Sequence, residues 1–316
     1  MEIKRHVSPF EADKLLDCVE KIFGATERKI EEPQLNGSEA ELNLDVVYTA
    51  TEGDEILGSI HATVPKCDPA IAGLSAMFTM PEARGMGLGK KLFAKIVEEI
   101  DSLGVKTAFL GTGNPIAEKL YASFGFRYLM GTGVMIRMKE GGIPDFISHR
   151  YDRAEGKITV ANMTPAARLS IIPLAASTLD YSIYDANVGL GNPSIVTLPY
   201  CMSLYFRFMS LKEKGGAVLC ATDERGIIGA VATTMPDGTG NYCFDFYGFK
   251  SYESSATDAL SLARSFAEKN GGTVYMKVAD CDEKKAALAK SLGFTKGEKT
   301  EIKLRIPVFP AHIYKL

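Results

Sequence analysis

Arg84-Gly85-Met86-Gly87-Leu88-Gly89 is the stretch of this 316-residue chain whose residue types and spacing best suit chemistry. Its three glycines have no Cβ, so a ligand can reach the main chain. At the start of a helix the first N–H groups are unpaired and lie at the positive end of the dipole, which favours an anion such as a pyrophosphate. Arg84 adds a guanidinium fork at the rim. Two familiar phosphate loops fit poorly. A P-loop needs G-x-x-x-x-G-K-[ST], but Arg84 stands at the first glycine position and Lys91 replaces the Ser/Thr. The dinucleotide fingerprint G-x-G-x-x-G fails because the last gap, Gly87 to Gly89, is one residue short.

The elements that must position this loop are readable. Leu74–Thr79 has the composition of a strand. Leu88, Leu92, Ile96, Ile100 and Leu103 fall on one face of a helix running from about 88 to 103, and Gly104 stands where it should stop. Val105–Leu110 reads as a second strand. Asn114 and Pro115 then read as N-cap and first residue of another helix, which leads to Phe124-Gly125-Phe126.

Arg-x-x-Gly-x-Gly at a strand-to-helix junction resembles the coenzyme A loop of the GNAT superfamily of N-acetyltransferases, with Arg84, Gly87 and Gly89 at the motif positions. Asn114, Ala117, Leu120-Tyr121 and Gly125-Phe126 resemble the second conserved block of that family. Together, in order and spacing, the two blocks extend the resemblance over about residues 1–140. The resemblance implies acetyl-CoA as cofactor and direct attack by an amine in a ternary complex. It implies cofactor contacts from the backbone of Met77, Phe78 and Thr79, from Arg84, Gly85, Met86, Gly87, Leu88, Gly89 and Lys90, and from Asn114 along the pantetheine arm. It also places Tyr121 beside the sulfur, where a phenol of ordinary pKa near 10 can protonate a thiolate at neutral pH.

The base is harder to find. Family members use a Glu or His near the middle strands, or a water relay, and Leu74–Thr79 contains no carboxylate. His61 is the first candidate because imidazole titrates in the useful range. Glu31 and Glu32 follow. The segment 27–45 carries Glu27, Glu31, Glu32, Glu39, Glu41 and Asp45 against Arg28 and Lys29. It reads as a solvated loop, and alternatively as an attractor of a cationic amine.

The first half recurs in the second. At an offset of 171, Ala50, Thr51, Ile56, Gly58, Thr63 and Pro65 return as Ala221, Thr222, Ile227, Gly229, Thr234 and Pro236. Leu292-Gly293-Phe294 answers Phe124-Gly125-Phe126 at an offset of 168, and Ala259–Lys269 answers the helix after the glycine loop. The chemical parts do not return: Arg84, Gly87, Gly89, Asn114 and Tyr121 correspond to Tyr252, Ser255, Thr257, Asp282 and Ala289. The expected fold is α/β (α+β), with two tandem GNAT-like domains, each a mixed, mostly antiparallel sheet flanked by helices. Residues 1–142 form the catalytic acetyltransferase domain and 156–316 a degenerate copy, with a linker at Lys139–Pro144 or slightly later. Between them Thr164-Pro165 opens a helix, 185–199 reads as a long loop, and Tyr200–Leu211 is aromatic and Met-rich, as core packing or a wall of the acceptor pocket.

Composition removes other classes. The apolar fraction is 46% and the net charge −3, with no basic stripe interleaved with aromatics, so nucleic acid is not an expected partner. No apolar run is long enough to cross a bilayer, and Met1–Val7 reads as a strand, not a secretory signal. A cytoplasmic location is expected. None of the six cysteines forms a C-x-x-C pair and there are only four histidines, so neither zinc nor a disulfide framework is expected. The sequence therefore points to an acetyl-CoA-dependent N-acetyltransferase acting on the primary amine of a small, possibly cationic, molecule. The alternative is a coenzyme A-binding sensor without turnover.

Overall fold

The computed structural model of the protein describes residues 1–129, 132–197, 201–304 and 308–316. The chain divides into two compact units. The first comprises residues 1–129, 133–141 and 201–203, and the second comprises Thr132 together with the described residues of 142–197 and 204–316.

In the first unit the order is β1 (Glu2–Val7), α1 (Asp13–Phe23), α2 (Ala25–Leu35), β2 (Asn43–Glu52), β3 (Glu55–Pro65), β4 (Ile71–Thr79), α3 (Leu88–Ser102), β5 (Thr107–Gly111), α4 (Pro115–Ala122), β6 (Arg127–Tyr128) and β7 (Val134–Met138). The strands make one sheet, ordered β1-β2-β3-β4-β5-β7-β6. Every pairing is antiparallel except β4 with β5. β3 is covered on both faces, so it is buried almost along its length. Leu88, Leu92, Ile96 and Ile100 of α3 pack with Ile60, Ala62 and Val64. Leu15, Leu16 and Val19 of α1 form a separate cluster with Val47, Ala76 and Phe78. Leu103, expected on the α3 core face, is exposed because the helix has ended at Ser102.

Two features of β4 shape the site. Its parallel pairing with β5 covers only Ile71 to Gly73, after which the strands separate. Its register against β3 slips between Ser59 and His61. At that bulge Ala76 has φ of 45° and its carbonyl accepts from Ser59 Oγ at 2.8 Å. A non-glycine residue in this region is strained, and bulges re-aim the groups around them.

In the second unit the order is α5 (Ile143–Tyr151), β8 (Thr159–Asn162), α6 (Ala167–Ala176), β9 (Ile183–Asp185), β10 (Leu190–Gly191), α7 (Leu204–Glu213), β11 (Ala217–Thr222), β12 (Ile228–Pro236), β13 (Tyr242–Gly248), α8 (Ala256–Lys269), β14 (Val274–Ala279), α9 (Glu283–Ser291), β15 (Thr295–Lys303) and β16 (Val308–Lys315). Its main sheet, read from β8, runs β8-β11-β12-β13-β14-β16-β15. That is the strand order of the first sheet, again with a single parallel pairing, β13 with β14. β9 and β10 form a small separate hairpin.

Three local expectations change. The acidic stretch after Gly24 is not a loop: it forms α2, with Ile30, Glu31, Gln34 and Leu35 buried and Pro33 inside the helix. Residues 143–151, expected in a linker, form α5. Its Tyr151 stacks on Phe249 at 3.9 Å, and the Arg225 guanidinium donates to the carbonyls of His149, Arg150 and Arg153. The expected loop 185–199 contains part of the β9–β10 hairpin; its last two residues, and Tyr200 of the aromatic segment, lie outside the described residues. From Leu204 that segment is helical, as α7.

Candidate active site

The glycine loop joins β4 to α3 through a single 3-10 turn, Pro81–Ala83. Gly85 and Gly87 have φ of 80° and 71°, a region that costs any other L-residue about 1–2 kcal/mol. Gly87 is the N-cap of α3, and the first intrahelical bond runs from Lys91 N to Gly87 O at 3.2 Å. The N–H groups of Leu88, Gly89 and Lys90 are therefore left over at the helix start, with no acidic residue in the first turn. A Cβ on Gly89 would sit 3.4 Å from Met77 Cε and 3.5 Å from Thr79 Oγ1. Arg84 is exposed and its Nε donates to Thr79 O at 3.3 Å. Met86 and Lys90 are exposed on the loop and on the first turn of α3, outside the cleft lining.

From this loop a cleft of about 670 Å³ follows the separated edge of β4, bounded by Met77, Phe78 and Thr79 on one side and by Asn114, Ala117, Leu120 and Tyr121 of α4 on the other. Phe23 of α1 closes its rim, edge-on to Phe78 with ring centres 6.3 Å apart. Beyond Gly73 no described strand pairs β4 on the β5 side, so among the described residues its backbone is available to a ligand there. Asn114 caps α4: its Oδ1 accepts from Ile116 N at 2.9 Å. Tyr121 is 6% exposed and stacks on Phe93 with centroids 4.8 Å apart. Burial pushes its phenol up to about 12, so it is neutral and a donor at physiological pH.

A second, smaller pocket of about 260 Å³ opens on the other side of Tyr121. Ser75, Ala76 and Met77 of β4, Gly111 at the end of β5, Thr112 after it, and Cys201 line it, and Glu27 of α2 is the only carboxylate among the described residues that do so. Phe23, Met77, Asn114, Ala117 and Tyr121 belong to both cavities. Burial, reinforced by the charge of Glu31, pushes Glu27 up to about 7. Burial also holds the Cys201 thiol up at about 12, which makes it a poor nucleophile.

His61 lines neither cavity. It is 1% exposed, with Nδ1 2.6 Å from Glu31 Oε2 and Nε2 3.0 Å from Asp45 Oδ1. Burial by itself would lower its pKa, but the two carboxylates outweigh that and carry it up to about 10. A ring held protonated between two anions has no lone pair for an incoming ammonium. Glu31 is fully buried in the same ion cluster, with Oε1 left without a hydrogen bond. Glu32 is exposed and lines neither cavity. The carboxylate that the fold brings to the smaller pocket is Glu27, which the sequence singles out only as one of six acidic residues of one segment. The available signal was its helical spacing of four from Glu31.

Residues 14–126 match the family model described as Acetyltransferase (GNAT) family. That match lies within the first unit. A curated relative, a phosphinothricin N-acetyltransferase of Streptomyces coelicolor, is 30% identical over 87 residues. That match covers 26% of this chain and 51% of the relative, so the chain spans about half the length of the curated relative it matches. Among solved structures, a GNAT-family acetyltransferase of Staphylococcus aureus is 18% identical with a TM-score of 0.35, covering 43% of this chain and all of that one. A Sinorhizobium meliloti phosphinothricin acetyltransferase in complex with acetyl-CoA is 16% identical with a TM-score of 0.38, covering 50% and 87%. A Bacillus subtilis acetyltransferase in complex with CoA is 23% identical with a TM-score of 0.32, covering 40% and 77%. No described helix is long and apolar enough to cross a membrane.

Proposed function

We propose that the protein transfers an acetyl group from acetyl-CoA to the primary amine of a small molecule, by direct attack in the first unit. One observation carries this reading: the glycine loop, the separated edge of β4 and the Tyr121 phenol lie along a single cleft. The loop and the first turn of α3 supply N–H donors and Arg84 a cation for the diphosphate end. The backbone N–H groups of Met77, Phe78 and Thr79 serve the pantetheine amides and the thioester carbonyl. The thioester presents an acyl carbon with a good leaving group. Tyr121, at the junction of the two cavities, gives its proton to the departing sulfur. The amine enters from the smaller pocket.

The second unit acts as a degenerate copy, domain 156–316 of the sequence reading, extended at its start by α5. It takes no part in cofactor binding. Its support is the repeated strand order together with the residues that replace the loop and the tyrosine.

The test is transfer by the purified full chain, with acetyl-CoA and a panel of diamines, polyamines, amino acids and aminoglycosides, read by thiol release and by mass of the product. Calorimetry should find one CoA site per chain. Binding without transfer to any amine would favour the sensor reading, and no binding would overturn both.

A further inference from the structure

Within the acceptor pocket the carboxylate of Glu27 faces no basic side chain among the described residues that line it. One helical turn further along α2, Glu31 begins a buried chain: Glu31 Oε2 to His61 Nδ1 at 2.6 Å, then His61 Nε2 to Asp45 Oδ1 at 3.0 Å. Thr63 Oγ1 lies 2.7 Å from the same Asp45 oxygen, and Ser75 Oγ lies 3.2 Å from His61 Nδ1. Two carboxylates and one imidazolium leave this chain one negative charge, buried and within reach of Glu27 at the i,i+4 spacing. Its unpaired pole is Glu31 Oε1, a buried carboxylate oxygen with no hydrogen-bond partner among the described residues. Such an anion disfavours ionisation of its neighbour and strengthens that neighbour's hold on a proton. The other groups around Glu27 do not cancel it. Arg28 is turned to Asp17 and Glu20 of α1, Lys29 is exposed, Tyr121 across the pocket stays neutral, and Ser75 carries no charge.

We propose that Glu27 is the group that deprotonates the incoming ammonium, and that the buried Glu31–His61–Asp45 chain is a positioning device that sets its basicity. The inference rests on the acetyl-transfer reading above. The N–H bond of the ammonium breaks, its proton passes to a Glu27 oxygen, and the nitrogen keeps the electron pair. The neutral amine then forms the N–C bond as the C–S bond breaks toward sulfur, which receives the Tyr121 proton. The acylated nitrogen sheds its second proton, which returns through solvent to the Tyr121 phenolate and leaves the neutral amide, while Glu27 releases the first proton to solvent. The His61 imidazolium holds Glu31 in place through its 2.6 Å contact without itself meeting substrate. This explains why a histidine in the sheet, poorly placed to be the base, matters to the base.

The test uses the full chain and the fastest amine of the panel. In Glu27→Gln, kcat at pH 7 should fall about a hundredfold or more, with CoA affinity retained. In Glu31→Gln, the acid limb of the pH profile of kcat/KM should move down by at least about one pH unit, while the plateau rate at high pH is kept. A merely structural Glu31 would not move that limb. Carboxyl-carbon NMR of the wild-type chain provides a readout that needs no turnover and no folded variant. Glu27 should titrate near neutrality, and a midpoint in the ordinary carboxylate range would overturn the proposal. Wild-type turnover matched by Glu27→Gln would overturn the proposal alone. A wild-type chain that acetylates no amine of the panel would overturn the transfer reading, and the proposal with it.

Discussion

The two units share a strand order and the same parting of one parallel strand pair, yet they treat the resulting gap in opposite ways. In the first unit β4 leaves β5 after Gly73 and the gap remains a cleft. In the second, β13 pairs with β14 only at Tyr242 and Cys243, and the chain closes the gap itself. Asn187, in the β9–β10 turn, donates to Cys243 O at 2.9 Å, and Ala186 N donates to Asp245 Oδ2 at 2.7 Å. Lys285 of α9 completes the closure with a 2.5 Å contact to Asp245. The phosphate end differs just as clearly. Where the first unit has Arg84 and two left-handed glycines, the second has Tyr252, fully buried against Gly229 and donating to Asp223 at 2.8 Å. A fold that tolerates a gap in its sheet can use it for a ligand or fill it with its own polar groups. The residues at the gap decide which.

The largest effect should come from reopening the filled gap. Lys285→Met removes the cation from Asp245 and Asp185, whose pKa values are already raised by burial. Denaturant unfolding should show a loss of about 3–5 kcal/mol, with CoA affinity of the chain unaltered. Next is the tyrosine of the open gap: Tyr121→Phe should lower kcat by about a hundredfold, while calorimetry returns the wild-type CoA affinity. Equal turnover would remove Tyr121 from the chemistry. A smaller effect follows from the loop. Gly87→Ala places a Cβ at a left-handed φ, a strain of about 1–2 kcal/mol, and CoA should bind about tenfold more weakly. The reciprocal Ser255→Gly should leave the stoichiometry at one, because Tyr252 still occupies the space. The mildest effect is selectivity. With Glu27 present and no cation among the described residues lining the smaller pocket, diamines should have a lower KM than amines bearing a carboxylate. That preference should shrink a few-fold as salt rises.

Much of the larger cleft was legible because it is local. Gly85, Gly87 and Gly89, the helix they open, and the Asn114–Tyr121 block each announce themselves within a few residues. The smaller pocket was not, because it is assembled from distant pieces. His61 has a suggestive residue type, and only its neighbours from 16 and 30 residues away, Asp45 and Glu31, fix it as a buried cation. The helix bearing Glu27 was masked by its own acidity and by Pro33, which removes an N–H from its last turn. The same difficulty hid the closure of the second gap. Nothing local in the Gly- and Asn-rich turn after Asp185 indicates that its backbone and side chains complete a strand sixty residues on.

The parting of β4 from β5 leaves Leu74 to Thr79 with a bare edge in the resting protein. Whatever binds along that edge stands in for an absent strand, so the guest becomes structural for as long as it stays. Amide hydrogens there should exchange quickly with heavy water in the empty protein and slowly in the loaded one, while those of β13 should be indifferent.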